Sequence, residues 1–291
     1  MLNWSKDEWL HLCPELTIEG DVTPDHYCQW DGWELEEIST GFHKDGYLNL
    51  SSVLPSSLCE QLSDAMEILA NNNIPAVYIY IYDQPWQLFE SLRQLISHFL
   101  GEDYALLPNF WAWNLSAAGE AGWSPHRDCD AETVFDIGGD TLLMSLSLWV
   151  PLTEVDERNG CMFVIPRSEE NNIQKLMELD RENLLPFAKP LPAKAGSVLG
   201  WPQDLYHFGG EYRDGAKTPR RSLSFEFQNT SFDPLAKPLL STRQMPDFET
   251  RLRLMSEQFE KYRHIDPTVQ KTRLFSESEV SLRHISAPPA D

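Results

Sequence analysis

Three side chains in this sequence are of the types and spacing that could share one metal ion. His126 and Asp128 stand two apart in Trp123-Ser-Pro-His-Arg-Asp-Cys-Asp130, and on an extended strand residues two apart point to the same side. Arg127 then faces the other way. A third ligand is available far downstream, His207 in Asp204-Leu-Tyr-His-Phe-Gly-Gly210. Two imidazoles and a carboxylate on one face of an octahedral ion leave three positions open, the ligand set of non-haem Fe(II) oxygenation chemistry. Asp130 has the same strand phase as Asp128, but the shorter spacing favours Asp128. A bare His-x-Asp arises often by chance, so the weight falls on what accompanies it.

Two further stretches carry that weight. In Thr218-Pro-Arg-Arg-Ser-Leu-Ser-Phe225, Arg220 and Ser222 share one strand face while Arg221, Leu223, Phe225 and Phe227 take the other. A guanidinium in a cavity grips a carboxylate with two parallel hydrogen bonds, and a neighbouring hydroxyl adds a third. Arg221 remains the alternative if the strand begins one residue out of phase. Residues 141–150 also differ by face: Ser145, Ser147 and Trp149 on one side, Met144, Leu146 and Leu148 on the other. An apolar back and a polar, aromatic front suit a strand that packs outward and lines a cavity inward.

The elements that must hold these residues follow from periodicity and turn residues. Residues 1–35 contain Pro14 and Pro24, which limit any helix, and are expected to be an N-terminal extension that packs partly on the body. Residues 48–50 suggest a short strand. Pro55 opens a helix in which Leu58, Leu62, Ala65, Met66 and Leu69 recur at helical spacing until Asn71-Asn-Asn73. Alternation predicts a strand over 76–82, and a broad apolar stripe predicts one helix over 86–100. Strands are expected at 109–115, 123–129, 141–150, 161–165, 196–201 and 221–228, with a short helical excursion over 168–185. A charged helix of about twenty residues is expected from near Pro246. The pattern implies a mostly β protein with flanking helices around a double-sheet jelly roll. A single domain over 1–291 is expected, with helices plus the jelly-roll core in 40–228 and extensions at 1–35 and 229–291.

Bulk properties narrow the partners. The net charge of −22 argues against nucleic acid and anionic membrane, both of which require a basic surface. The five cysteines are widely spaced with no C-x-x-C pair, which disfavours disulfide scaffolding and a thiolate zinc site. With no leader-like N-terminus and no apolar span, a cytoplasmic location is expected.

Taken together, the motifs resemble the phytanoyl-CoA dioxygenase-like (PhyH) family of Fe(II)/2-oxoglutarate oxygenases. The resemblance runs from about residue 40 to 228. It rests on Pro125-His-Arg-Asp128, on Leu148-Trp-Val-Pro-Leu152, Arg158-Asn-Gly-Cys161 and Val164-Ile-Pro-Arg-Ser168, on Gly196-Ser-Val-Leu through His207-Phe-Gly-Gly210, and on Arg220-x-Ser222. Glu169 departs from the histidine often found after that serine, at a position that is not a ligand.

This resemblance implies a double-stranded β-helix, cupin-like core, with Fe(II) held by His126, Asp128 and His207. It implies 2-oxoglutarate anchored by Arg220 and Ser222, with Trp149 or the hydroxyl of Ser147 nearby, and O2 as second cosubstrate. The activity implied is hydroxylation of an unactivated C–H bond of a small, partly apolar molecule, releasing succinate and CO2. The intact Asp128 carboxylate disfavours halogenation. Trp113, Trp123, Trp201 and Tyr206 are candidate pocket residues. The competing readings are a cupin-like metal-dependent isomerase or hydrolase, and a non-catalytic small-molecule-binding module of the same fold.

Overall fold

The ends of the first two helices explain why the N-terminal region is ordered. In the computed structural model, which describes residues 4–21, 23–138, 140–267 and 269, α1 (Lys6–Leu12) and α2 (Gly32–Asp45) each open with a reciprocal capping box, Ser5 with Glu8 and Asp31 with Glu34. Gly46 ends α2 at φ 85°, a conformation that glycine adopts without strain. Helix therefore forms on both sides of the prolines that were expected to limit it. Pro14 and Pro24 fall between the helices rather than inside them, and Trp9, Leu16 and Ile18 are buried in the same apolar cluster as the central helices.

After β1 (Leu48–Leu50) comes α3 (Ser56–Asn71), which buries Leu62, Ala65, Met66 and Leu69 as its spacing predicts. The strand expected over 76–82 is instead a 3-10 helix, Ala76–Ile81, begun at Pro75. All six of its side chains are buried, so its apolar run marks complete burial rather than the alternation of a half-exposed strand. The Tyr80 hydroxyl sits 2.9 Å from the carbonyls of both Trp111 and Ser224, tying this segment to the sheet. The single helix expected next is two, α4 (Gln84–Glu90) and α5 (Arg93–Leu100).

The strands are β2 (Tyr104–Leu115), β3 (Val134–Ile137), β4 (Asp140–Leu143), β5 (Ser145–Pro151) and β6 (Met162–Val164). After the short helices α6 (Glu170–Ile173) and α7 (Arg181–Leu184) follow β7 (Lys189–Leu191), β8 (Val198–Trp201), β9 (His207–Gly209) and β10 (Arg220–Asn229). Helix α8 (Phe248–Tyr262) comes last. The strand expected over 141–150 is thus broken at Met144, its first part pairing with β3 as a hairpin.

A five-stranded antiparallel sheet in the order β1-β8-β5-β10-β2 is accompanied by a three-stranded sheet, β7-β6-β9. Helices hold more of the described chain than strands do, so the fold is mixed α/β rather than mostly β. One apolar cluster joins the helices to the outward residues of the large sheet, including Leu146, Leu148, Val150, Leu223 and Phe225. A second joins inward Trp149, Leu199 and Trp201 to β6 and β9. No helix among the described residues is long and apolar enough to cross a membrane, and all five cysteines are free thiols.

Candidate active site

The segment expected to be a strand over 123–129 is extended but joins no sheet. It runs antiparallel to 203–212 with interrupted pairing, and His126 and His207 face each other in an isolated bridge. His126 N–H donates to the His207 carbonyl at 3.1 Å, and His207 N–H donates to the His126 carbonyl at 3.0 Å. The two backbones close in where Gly122 and Gly209 meet, a Cβ on either falling 2.7–2.8 Å from the other's Cα. One backbone exchange therefore brings together two imidazoles 81 positions apart.

Asp128 completes the cluster. Its Oδ1 lies 3.3 Å from His126 Nε2 and 3.7 Å from His207 Nε2, and one ligand atom from each residue falls within 4.8 Å of the others. Both rings are oriented through their other nitrogen. His126 Nδ1 is 2.7 Å from the Ser124 carbonyl and His207 Nδ1 is 3.0 Å from that of Leu205. A carbonyl accepts only from N–H, so in each neutral ring Nε2 carries the lone pair a metal needs; at His126 burial is outweighed by Asp128, which raises the pKa and leaves a proton for a metal to displace. Ser147 donates to Asp128 Oδ2 at 2.7 Å, fixing the carboxylate from behind.

Electrostatics prepare the same arrangement. Burial opposes the Asp128 charge, but the imidazoles of His207 and His126 and the Ser147 hydroxyl outweigh it and hold the carboxyl below its usual range. Burial, only partly offset by Asp128, lowers His207 to about 4, which keeps the ring neutral. Asp130 is exposed and outside the cluster. The choice between the two carboxylates therefore falls on Asp128.

Arg220 and Arg221 are separated as clearly. Arg221 points to the helical side, where it bonds Ser63, Asn114 and Glu67, the last at 2.9 Å. Arg220 lines a cavity of about 350 Å³ that also contains His126, Asp128 and His207. Its Nε and Nη1 are buried with no hydrogen-bond partner among the described residues. Its nearest companions are the Trp149 ring at 5.2 Å and Met162 Sδ at 3.6 Å. Burial without a counter-ion lowers its pKa to about 9. A desolvated guanidinium without an acid is a site waiting for an anion.

The other expected cosubstrate residues divide. Trp149 lines the cavity with an unpartnered Nε1. Ser147 lines it too, but its hydroxyl is engaged by Asp128. Ser222 is fully buried with its hydroxyl unpartnered, on the same face of β10 as Arg220, but it does not itself line the cavity. Trp113, Trp123 and Trp201 line the cavity, whereas Tyr206 stacks under the Arg127 guanidinium at 4.3 Å.

Several lining residues were not anticipated. Glu226 lies directly opposite Ser147 in the β5–β10 register, and its Oε2 accepts from Asn109 at 2.9 Å and Gln203 at 2.6 Å. Burial first, then the Asp128 charge, push its carboxyl well above the ordinary range. It is on the same strand face as Arg220, so the alternation of β10 carried the signal. Gln258, Lys261 and Tyr262 come from α8, and no motif marks them.

With this geometry in place, the comparisons can be stated. Residues 82–222 match the sequence model of the family described as phytanoyl-CoA dioxygenase (PhyH). The matched segment begins before α4 and ends at Ser222, so it contains all three clustered ligands and Arg220. No curated protein matches the chain. Among solved structures, the non-heme monooxygenase ThoJ, as a nickel complex, is similar at 15% identity and a TM-score of 0.54, covering 78% of this chain and 98% of that one. The epimerase SnoN in complex with Fe3+, alpha ketoglutarate and nogalamycin RO is similar at 18% identity and a TM-score of 0.53, over 68% and 85% of the two chains. The alpha ketoglutarate dependent carbocyclase SnoK gives 12% identity and a TM-score of 0.53, over 75% and 99%. Identities this low show a shared fold.

Proposed function

We propose that the protein is an Fe(II)- and 2-oxoglutarate-dependent oxygenase that hydroxylates a small molecule at an unactivated C–H bond. The observation that carries this reading is the conjunction, in one cavity, of a two-histidine, one-carboxylate cluster and a buried arginine with no acid. The donor set fits Fe(II): neutral Nε2 atoms and a charged carboxylate on one side, the other side open to the cavity. His126, Asp128 and His207 would hold the metal. Arg220 would take the distal carboxylate of 2-oxoglutarate, with the Trp149 indole beside it. Iron, 2-oxoglutarate and O2 together supply an oxidant strong enough for an unactivated C–H bond, with succinate and CO2 as co-products.

The chain's own residues do the positioning. The carbonyls of Ser124 and Leu205 orient the two rings, Ser147 holds Asp128, and the tryptophans keep the cavity wall apolar. We place the two sheets as the halves of a double-stranded β-helix, with the cluster at its mouth. The epimerase and carbocyclase among the similar structures fit a scaffold on which substrate placement selects the outcome. A metal-dependent hydrolase or isomerase has no use for a buried unpaired arginine in the cavity, and a simple binding module has none for an oriented metal cluster.

The test is anaerobic titration of the protein with Fe(II) and then 2-oxoglutarate. A weak visible charge-transfer band is expected only with both present, followed by succinate formation on admitting air. Absence of the band at saturating metal would overturn the reading.

A further inference from the structure

Farther along β10 from Arg220, the cavity is lined by Glu226 together with Gln258, Lys261 and aromatic rings. Glu226 uses Oε2 for two amide donors, Asn109 and Gln203, and no described residue bonds its Oε1. No cation lies within ion-pair distance of it among the described residues; Lys261 lines the same cavity and acts on Glu226 from farther off, with its ammonium over the Tyr262 ring at 4.6 Å. Gln258, from α8, is 8% exposed and lines the same cavity, with an Oε1 that has no partner. Tyr262, Trp123 and Trp111 form an edge-to-face cluster beside these acceptors, with ring centroids 4.6 Å apart for Tyr262–Trp123 and 5.6 Å for Trp111–Tyr262.

Burial, with the Asp128 charge, keeps Glu226 protonated while no ligand is bound, so the group that suits it is one basic enough to take that proton. A carbonyl, a carboxylate or an alcohol is not, and leaves the carboxyl neutral. An ammonium brings three donors and a positive charge, and aromatic faces and edges around an acidic group stabilise cations. Building on the oxygenase reading, we propose that the substrate is a small amine whose ammonium docks on Glu226, with the Gln258 carbonyl as second acceptor. The register supports productive placement. Glu226 stands opposite Ser147, and Ser147 holds Asp128, so a group bound at Glu226 lies one side chain from the metal cluster. The polarity of the cavity then orders both ligands, anion at Arg220 and cation at Glu226.

Matched probes test the assignment. The protein, loaded anaerobically with Fe(II) and 2-oxoglutarate, is titrated with 2-phenylethylamine, 2-phenylethanol and phenylacetate, and binding is read from tryptophan fluorescence. The amine is expected to bind about tenfold or more tighter than the alcohol or the acid. Glu226→Gln keeps an oxygen for Asn109 and Gln203 but turns an amide N–H2 toward the cavity, and is expected to abolish the preference. Gln258→Leu is expected to weaken the amine about threefold and the alcohol less. Equal binding of amine and alcohol, tighter binding of the acid, or no amine binding up to about 10 mM would overturn the proposal. If Glu226→Gln fails to fold, as read by loss of the charge-transfer band, the Gln258→Leu result decides. A wild-type band without amine preference refutes only this inference; no wild-type band refutes the oxygenase reading itself.

Discussion

Adjacent arginines with opposite surroundings give the most discriminating experiment at the level of single residues. Arg220 has two unpartnered nitrogens in the cavity, and Arg221 is held by Ser63, Asn114 and Glu67 on the far side of the sheet. Arg220→Ala removes the only proposed partner of the distal carboxylate. It is expected to weaken 2-oxoglutarate binding by about 2–5 kcal/mol, the cost of stranding one member of a buried charged pair, with metal binding retained. It should also raise stability slightly or leave it unchanged, because an unpaired buried charge is removed. Arg221→Ala should do the reverse: lower stability by about 1–3 kcal/mol through lost charged hydrogen bonds, with 2-oxoglutarate affinity kept. Titration and urea denaturation of both variants check this, and a shared phenotype would remove the distinction on which the site rests.

Between elements, close backbone approach decides the geometry. A Cβ on Gly209 would fall 2.8 Å from Arg220 Nη1 and 2.7 Å from Gly122 Cα. Gly209→Ala is therefore expected to displace the guanidinium and raise the KM for 2-oxoglutarate about tenfold or more, while the His126–His207 bridge two residues away keeps its metal affinity. Steady-state kinetics against a metal titration separates the two effects. The ligands were legible in the sequence because their chemistry is local: His126, Asp128 and His207 stand out by type and phase, whereas Arg220 was separated from Arg221 only by the side of the sheet each one faces. What hid was set by tertiary contact. The 3-10 segment Ala76–Ile81 is buried on every side, so its β-branched and aromatic residues imitate a strand. The region 123–129 keeps strand phase without strand pairing, which is why the ligand geometry survived a wrong secondary-structure expectation. Gln258 and Tyr262 reach the cavity only because α8 packs there, and nothing local to them says so.

The placement of α8 depends in turn on one buried ion pair. Arg251, 1% exposed, donates to Asp83 Oδ1 at 2.8 Å, and the same carboxylate accepts from Thr17 Oγ1 and the amides of Glu19 and Gly20. Asp83 thus joins the N-terminal region, the central helices and the C-terminal helix. Arg251→Met leaves that carboxylate without its cation and is expected to cost about 3–5 kcal/mol, read as a shift in the urea midpoint, together with loss of whatever binding α8 contributes.

With three distant regions joined in this way and the metal cluster itself drawn from both sides of a long connection, we propose that the whole described chain unfolds as one unit. Ligands that bind only the folded form then stabilise all of it. At a hundredfold excess over Kd the gain is about 2.7 kcal/mol, which for a chain of this size corresponds to roughly 4–5 °C in Tm. Calorimetry of the metal-free protein is expected to show a single transition. That transition should move upward as a whole on adding Mn(II) with 2-oxoglutarate and return on adding a chelator. In Arg220→Ala the 2-oxoglutarate increment should vanish while the metal increment stays. Two separate transitions, with only one responding to the ligands, would mean that the joined regions are thermodynamically independent and that Asp83 does not couple α8 to the site.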